Sequence, residues 1–563
     1  MKIISIVSVS FIILLCGGST KFNNENAKSE TGFNQKPGYL NSIAAYRFFA
    51  GDTSDQDSFH KIDILHYDLF FDLHPEEKMF NASAEIKGLN KEINQKTIEL
   101  NFYDNFDIKS VTLNGKEVDY TNKKNIISIK PDNPVIDTFL LKIDYSGTPE
   151  RAGFVGFSFG EINGTSLVYN LSEPNYASSW FPCNDKPSDK ALLDIRIEND
   201  SSNVSVSNGI LVDIKNDGGR RIYHWETLYP ISTYLVAVYS SHYSHFSDSY
   251  ISLDGTDTMS IDYYVLPGDL ENAKKDFEEH PDMIRFFAET FGEYPFIKEK
   301  YGVAEFLWQL GAMEHQTITG VATNMIGGRN YYLDVYAHEL AHHWWGDAVG
   351  PKSWKDIWLN EGFATYSEAL FYEFRSGKSA LRSTMLDKKR TNFRNSLENP
   401  GSYLFSTTVY DKGAWVLHML RWEVGDKIFF KILREYFKKY KYSNASTEDF
   451  ENICESVSGK DLSKFFDQWI KGEGDIELKY KYETNEKSSD DFITTIDLLQ
   501  TQTEYDEYHF PLEIALKFED GDKEIHKISV DSKSAHVSFE SDKKPIDVIL
   551  DPNDWLLMYA EKE

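Results

Sequence analysis

Between about Asp63 and Ser247 apolar and polar positions alternate in short runs, ILHYDLFFDL, TIELNFY, SVTLNG, FLLKIDYSG, LLDIRI and YLVAVYS, separated by Gly, Asn, Asp and Pro. A period of two puts one face of each run on a core, which predicts a large antiparallel β domain. After about Ile261 the period lengthens to that of helices, in LENAKKDFEEHPDMIRFFAETFG, KGAWVLHMLRWEVG, KIFFKILREYFKKY, TEDFENICESVSG and LSKFFDQWIKG. From about Asp475 alternation returns in LKYKYE, FITTIDLLQ, FPLEIALKF, HKISV, HVSFES and DVILD, the pattern of a small β sandwich. The expected organisation is a leader (1–18), a linker of disordered composition (19–54), an N-terminal β domain (55–248), a mainly helical domain (249–472) and a C-terminal β sandwich (473–563). The fold class is therefore multidomain α+β.

The helical stretch carries the chemistry. His338, Glu339 and His342 form H-E-x-x-H, and residues four apart share one helical face, so two imidazoles can reach one ion. A catalytic zinc takes three protein ligands and keeps a fourth position for water. Glu361, nineteen residues after His342, is the expected third ligand, on a second helix read from Asp356 to Phe374 and turned back by Gly350 and Pro351. Glu339 flanks the open position as a general base. Glu368, two turns beyond Glu361, is the expected acceptor for a ligand imidazole N–H. The nearby Trp344, Trp345, Trp354 and Trp358 read as core packing.

Composition narrows the partners. With 59 Lys+Arg against 89 Asp+Glu, a formal charge of −30 opposes binding to nucleic acid or anionic lipid, and 41% hydrophobic residues suffice for folded cores. Lys2, an apolar run from Ile3 to Leu15 and then Cys-Gly-Gly-Ser fit an export leader too short to span a membrane. Cys16 after ILL resembles a lipoprotein cleavage site, which would lipidate it; ordinary cleavage near Gly18 is the competing reading. The chain is expected in the periplasm or at the cell surface, or else secreted. Cys183 and Cys454, the other two cysteines, have no zinc-ligand spacing and are expected unpaired.

Taken together, these residues resemble the aminopeptidase N family of zinc metallopeptidases, thermolysin-like enzymes that also include leukotriene A4 hydrolase. The family pattern of H-E-x-x-H, eighteen residues and E is met by His338, Glu339, His342 and Glu361 in its WLNEGFA frame. The family's G-x-M-E-N is met by Gly311, Ala312, Met313 and Glu314, with His315 in place of Asn. The resemblance implies that Glu314 binds the substrate's α-ammonium, that the strand of Gly311 and Ala312 pairs with the substrate backbone, and that His315 alters the contact made by the Asn. Upstream, Pro182, Cys183, Asp185 and Pro187 match the family's P-C-x-D-x-P, which places Glu173 on its second amine-binding position. VYDKGAW supplies Tyr410 as the family's oxyanion-stabilising tyrosine.

The implied activity is release of N-terminal residues from peptides with a free N-terminus, with one Zn2+ per chain and no protein partner. Epoxide hydrolysis of the leukotriene A4 hydrolase type and a non-catalytic scaffold on the same fold are the alternatives. The family's large helical fourth domain has no counterpart in the pattern.

Overall fold

The computed structural model describes residues 61–91, 96–135, 137–390, 393–401, 404–488 and 491–563. The leader, Cys16 and the expected linker lie outside the described residues.

The alternating runs of the first half become a twisted nine-stranded sheet centred on Ile62–His74. That strand pairs antiparallel with Met79–Asn90 and parallel with Lys190–Asp200. Its burial alternates along the strand, with Tyr67, Leu69, Phe71 and Leu73 turned into the core. A smaller five-stranded sheet includes Val155–Ile162, Thr165–Leu171 and Tyr239–Ser241. The chain leaves Thr165–Leu171 and reaches Glu173 two residues later, so this lobe delivers a carboxylate at the end of a buried strand.

A third sheet, again five-stranded, lies in the order Ser244–Ile251, Thr258–Val265, Lys300–Phe306, Thr319–Ala322, Ala312–Met313. Ser244–Ile251 straddles the expected 248/249 division and pairs with Thr258–Val265. Lys300–Phe306 is buried at all seven positions and runs parallel to both neighbours, which erases the alternation that marks a one-faced strand. Ala312–Met313 forms the edge, pairing antiparallel with Thr319–Ala322.

Helix α1 (Leu333–Ala341) follows, then α2 (Trp358–Ser376), α3 (Lys378–Asp387) and α4 (Gly413–Val424). The second helix starts two residues later than the periodicity suggested, after a 3-10 turn at Trp354–Asp356. Its first fourteen residues, Trp358 to Phe371, are all buried. The connection between α1 and α2 is braced from the N-terminal lobe, where Lys190 Nζ donates to the carbonyls of Asp347 and Ala348 at 2.5 and 3.2 Å. Trp344, Trp345 and Trp358 are fully buried and Trp354 nearly so, as core residues.

Two glycines bring α2 against α4. A Cβ built on Gly362 would stand 2.9 Å from the Cα of Gly413, a backbone atom that no rotamer change can move aside. Gly362→Ala is expected to cost about 1–3 kcal/mol by overpacking. Gly268→Ala, where a Cβ meets nothing within 4 Å, should stay within about 0.5 kcal/mol of the parent. Denaturant unfolding of the two variants tests this; equal midpoints would refute the close-packing argument.

The C-terminal segment forms a four-stranded sheet with Ile476–Ser488 and Asp491–Gln500 at its centre and a three-stranded sheet around Phe510–Lys517. Tyr480 donates across to the carbonyl of Val548, and Tyr482 to Asp547. No helix among the described residues is long and apolar enough to cross a membrane.

Candidate active site

His338 and His342 sit one turn apart at the end of α1, with the His342 N–H donating to the His338 carbonyl at 3.2 Å. Their tautomers follow from their partners. Nδ1 of His342 lies 3.0 Å from the Trp345 carbonyl, which can only accept, so this nitrogen carries the hydrogen. Nδ1 of His338 lies 2.8 Å from Oε1 of Glu368, whose other oxygen accepts from Lys388 Nζ at 2.8 Å. Burial would raise the Glu368 carboxyl, but the Lys388 ammonium and the His338 hydrogen bond hold it below its ordinary value, so it is ionised and accepts. In the neutral tautomers so fixed, both Nε2 atoms carry lone pairs. They stand 3.0 Å apart, and Oε2 of Glu361 lies 3.2 Å from one and 3.3 Å from the other.

Three electron-pair donors converging without a hydrogen between them repel one another unless a cation lies among them. A tetrahedral zinc with bonds of about 2.0–2.1 Å separates its ligand atoms by about 3.3 Å, close to the spacing here. His2Glu is also a donor set that zinc uses at catalytic centres. On the protein's own charges the cluster reaches for protons instead. Burial would lower the His338 imidazole, yet its hydrogen bonds to Glu361 and Glu368 hold it at about 9. Burial would raise the Glu361 carboxyl, yet His342 and His338 hold it at about 2. The residues fit a divalent metal.

Glu339 lines the cavity beside these ligands, and burial first, with Glu314 and Glu361 adding repulsion, pushes its carboxyl up to about 8. Tyr410 lies in a π-helical segment, Thr408–Lys412, directly before α4. Such segments add a residue to a turn and recur at functional sites. Here the segment sets the Tyr410 ring over His338, centroids 5.9 Å apart and 16° from parallel.

On the other side of the cavity, carboxylate oxygens of Glu173, Glu314 and Glu361 lie within 4.8 Å of one another. Oε1 of Glu173 and Oε1 of Glu314 are buried without a hydrogen-bond partner. Burial raises both carboxyls, with repulsion from Glu314 and Glu361 adding at Glu173 and from Glu361 at Glu314. Gly311, Ala312 and Met313 line the same cavity. His315 does not. Its ring is fully buried, with Nδ1 2.6 Å from the hydroxyl of Tyr239, and burial drives its pKa down to about 3. The expected substrate contact at this position is replaced by a contact to the N-terminal lobe, and the ring is neutral at physiological pH.

Comparison with known proteins agrees with this geometry. The Peptidase M1 N-terminal domain pattern matches residues 64–235, and the Peptidase family M1 domain pattern matches residues 275–469. The chain belongs to peptidase family M1. Probable aminopeptidase 1 of Sulfurisphaera tokodaii is 25% identical over 434 residues, 73% of this chain and 53% of that protein. Mitochondrial aminopeptidase 2 of Saccharomyces cerevisiae is 28% identical over 505 residues, 81% of this chain and 51% of that protein. The M1 chain thus spans about half the length of these curated relatives. Among solved structures, Legionella pneumophila aminopeptidase A in complex with aspartic acid superposes with a TM-score of 0.80 at 22% identity, over 92% of this chain and 61% of that one. The M1 zinc metallopeptidase of Deinococcus radiodurans gives 0.65 at 26% identity, over 73% and 94%. Family membership makes the metal zinc.

Several parts of the M1 site escape sequence reasoning. Phe154, Leu171, Trp308, Leu310 and Phe405 make an apolar wall in a cleft of about 710 Å³ including its mouth. Phe154 packs between Trp308 and Phe405, with centroids at 5.7 and 5.5 Å. These residues come from separate lobes and loops, so no local spacing marks them. Lys388, just past the end of α3, is equally silent; the one available signal was that a buried Glu368 needs a cation. Cys183 and Cys454 are free, buried thiols, and Cys183 exchanges backbone hydrogen bonds with Asn101.

Proposed function

We propose that this chain is a zinc aminopeptidase that removes large apolar residues from the N-termini of peptides. The observation that carries the reading is the pair of buried carboxyl groups of Glu173 and Glu314, each with its Oε1 unpartnered, lying within 4.8 Å of the Glu361 ligand. Two buried carboxyls whose ionised forms burial and repulsion disfavour gain a counter-charge from a cationic ligand, and an α-ammonium of ordinary pKa about 8 is one. Set at fixed distance from the ligands, the pair admits only the first peptide bond.

Bound zinc supplies a Lewis acid that polarises the scissile carbonyl and acidifies a water. Glu339 takes the proton of that water and returns it to the leaving amine. Tyr410 donates its hydroxyl hydrogen to the oxygen on which negative charge develops. Ala312–Met313, an edge strand, offers backbone groups to an extended substrate. Glu368 and Lys388 hold the His338 ring in the tautomer that presents Nε2.

The aromatic wall supports the choice of first residue. Among the described residues, the charged side chains lining the cleft are carboxylates and histidines, so an acidic first residue meets like charge, whereas burying an apolar one contributes about 1.5–3 kcal/mol. The test is hydrolysis of leucyl, aspartyl and N-acetyl-leucyl anilides by the chain lacking residues 1–18. Cleavage of the leucyl anilide, at least about tenfold slower cleavage of the aspartyl one and none of the acetylated one are expected. Comparable cleavage of the acetylated substrate would refute amine anchoring. Export, with Cys16 as a lipid anchor, rests on the leader, and fatty-acid labelling lost in Cys16→Ser is its test.

A further inference from the structure

The edge strand Ala312–Met313 is joined to Thr319–Ala322 by a short turn, and Glu314 is the first residue of that turn. Each of the three residues after Glu314 is hydrogen-bonded to the N-terminal lobe. Nδ1 of His315 lies 2.6 Å from the Tyr239 hydroxyl. The Gln316 carbonyl accepts from Nδ2 of Asn208 at 2.6 Å, and Oγ1 of Thr317 accepts from the Gly209 N–H at 2.9 Å. All of these groups are buried.

Thr317 carries the strain of the turn. Its φ is +66°, in the left-handed region that β-branched residues avoid because Cβ crowds the backbone. Such a conformation persists only where its surroundings over-determine it, and it clusters at functional sites. The surroundings here are built for the purpose. Asn208 is itself fixed, its Oδ1 accepting from the Ala237 N–H at 2.8 Å and its Nδ2 also donating to the Leu235 carbonyl at 2.9 Å. Lys300 Nζ donates to the carbonyls of Ser207 and Gly209, at 2.8 and 2.7 Å, and lies over the Trp225 ring. Gly209 is itself packed against the backbone of Glu226, where a Cβ on it would stand 2.0 Å from the carbonyl oxygen.

From these contacts we infer that Asn208 and Thr317 are positioning residues for amine recognition: the N-terminal lobe sets where Glu314 points by clamping the strained turn that follows it. The inference rests on the reading of Glu314 as an amine anchor. It assigns the lobe a second task besides delivering Glu173.

The test compares Asn208→Ala, Thr317→Val, Thr317→Ser and Glu314→Gln in the zinc-loaded protein. Thr317→Val keeps the shape and loses the acceptor, while Thr317→Ser keeps the hydroxyl. Asn208→Ala and Thr317→Val are expected to raise KM for leucyl anilide and the inhibition constant of L-leucine about tenfold. Zinc content, kcat and inhibition by acetohydroxamic acid, which has no amine, should stay close to the parent values, and Thr317→Ser should behave as the parent. An equal loss of L-leucine and acetohydroxamate binding, a fall in kcat at unchanged KM, or no change in either variant overturns the inference. Should Asn208→Ala fail to fold, the Val and Ser variants of Thr317 decide the matter. If Glu314→Gln raises KM and the clamp variants do not, the positioning role fails alone; if Glu314→Gln leaves KM and L-leucine inhibition unchanged, the amine reading falls with it.

Discussion

Glu339→Gln is expected to lower kcat by about 10²–10⁴-fold while the protein still binds one zinc per chain. The carboxamide has the shape of the carboxylate, so the cavity that Glu339 lines and the packing of α1 are kept. It cannot accept a proton and hand it on. The loss at the middle of that range corresponds to about 4 kcal/mol of transition-state stabilisation, which no rearrangement of the three ligands needs to supply. The two imidazoles are held by partners other than Glu339, His338 by Glu368 and His342 by the Trp345 carbonyl. Metal analysis alongside steady-state kinetics separates the outcomes. A variant with zinc bound and a near-parental rate would remove Glu339 from the mechanism, and a variant without zinc would make it a structural support of the metal.

Tyr410→Phe is expected to lower kcat by about 10²–10³-fold, with little change in KM. The phenyl ring keeps the stack on His338, whose centroid lies 5.9 Å away, and keeps the π-helical segment intact. Only the hydroxyl is lost, and the bond it would make to the substrate oxygen strengthens as negative charge develops there. An interaction made mainly in the transition state shows in kcat more than in KM. A raised KM with kcat unchanged would instead make Tyr410 a binding residue. The comparison with Gly362→Ala is informative, because that change threatens the packing of α2 on α4 and so acts through stability.

The parts of this molecule legible in its sequence are those in which chemistry follows local spacing. His338 and His342 announce themselves through a helical turn, and Glu368 through two turns from Glu361. Strands with one solvent face, such as Ile62–His74, show their period directly. Lys300–Phe306, buried on both faces, and the two-residue strand Ala312–Met313 offer no period to read, which is why the catalytic segment looked more helical than it is. Glu173 and Glu314 were visible only through a family pattern; nothing in their spacing shows that 141 positions of separation close to within 4.8 Å. Lys388, Asn208, the turn at Thr317 and the aromatic wall depend on contacts between distant segments. Glu314 lines the cleft, whereas the ring of His315, the next residue, is turned to Tyr239, a reversal that sequence adjacency hides.

Glu173 enters the cleft from the N-terminal lobe, while Glu314 and the three candidate ligands come from the catalytic one. On this reading the ruler that measures one residue from the chain end is written across a domain junction. The proposed metal ligands and Glu339 all lie outside it. A catalytic lobe alone would retain the convergent donors and Glu339, lose half of the ammonium cage and the clamp on the other half, and have no means of telling a terminus from the middle of a peptide. Exopeptidase character is then a property of assembly, acquired by a hydrolase when a β lobe docks against it, and open to tuning by changes at that junction which never touch the metal.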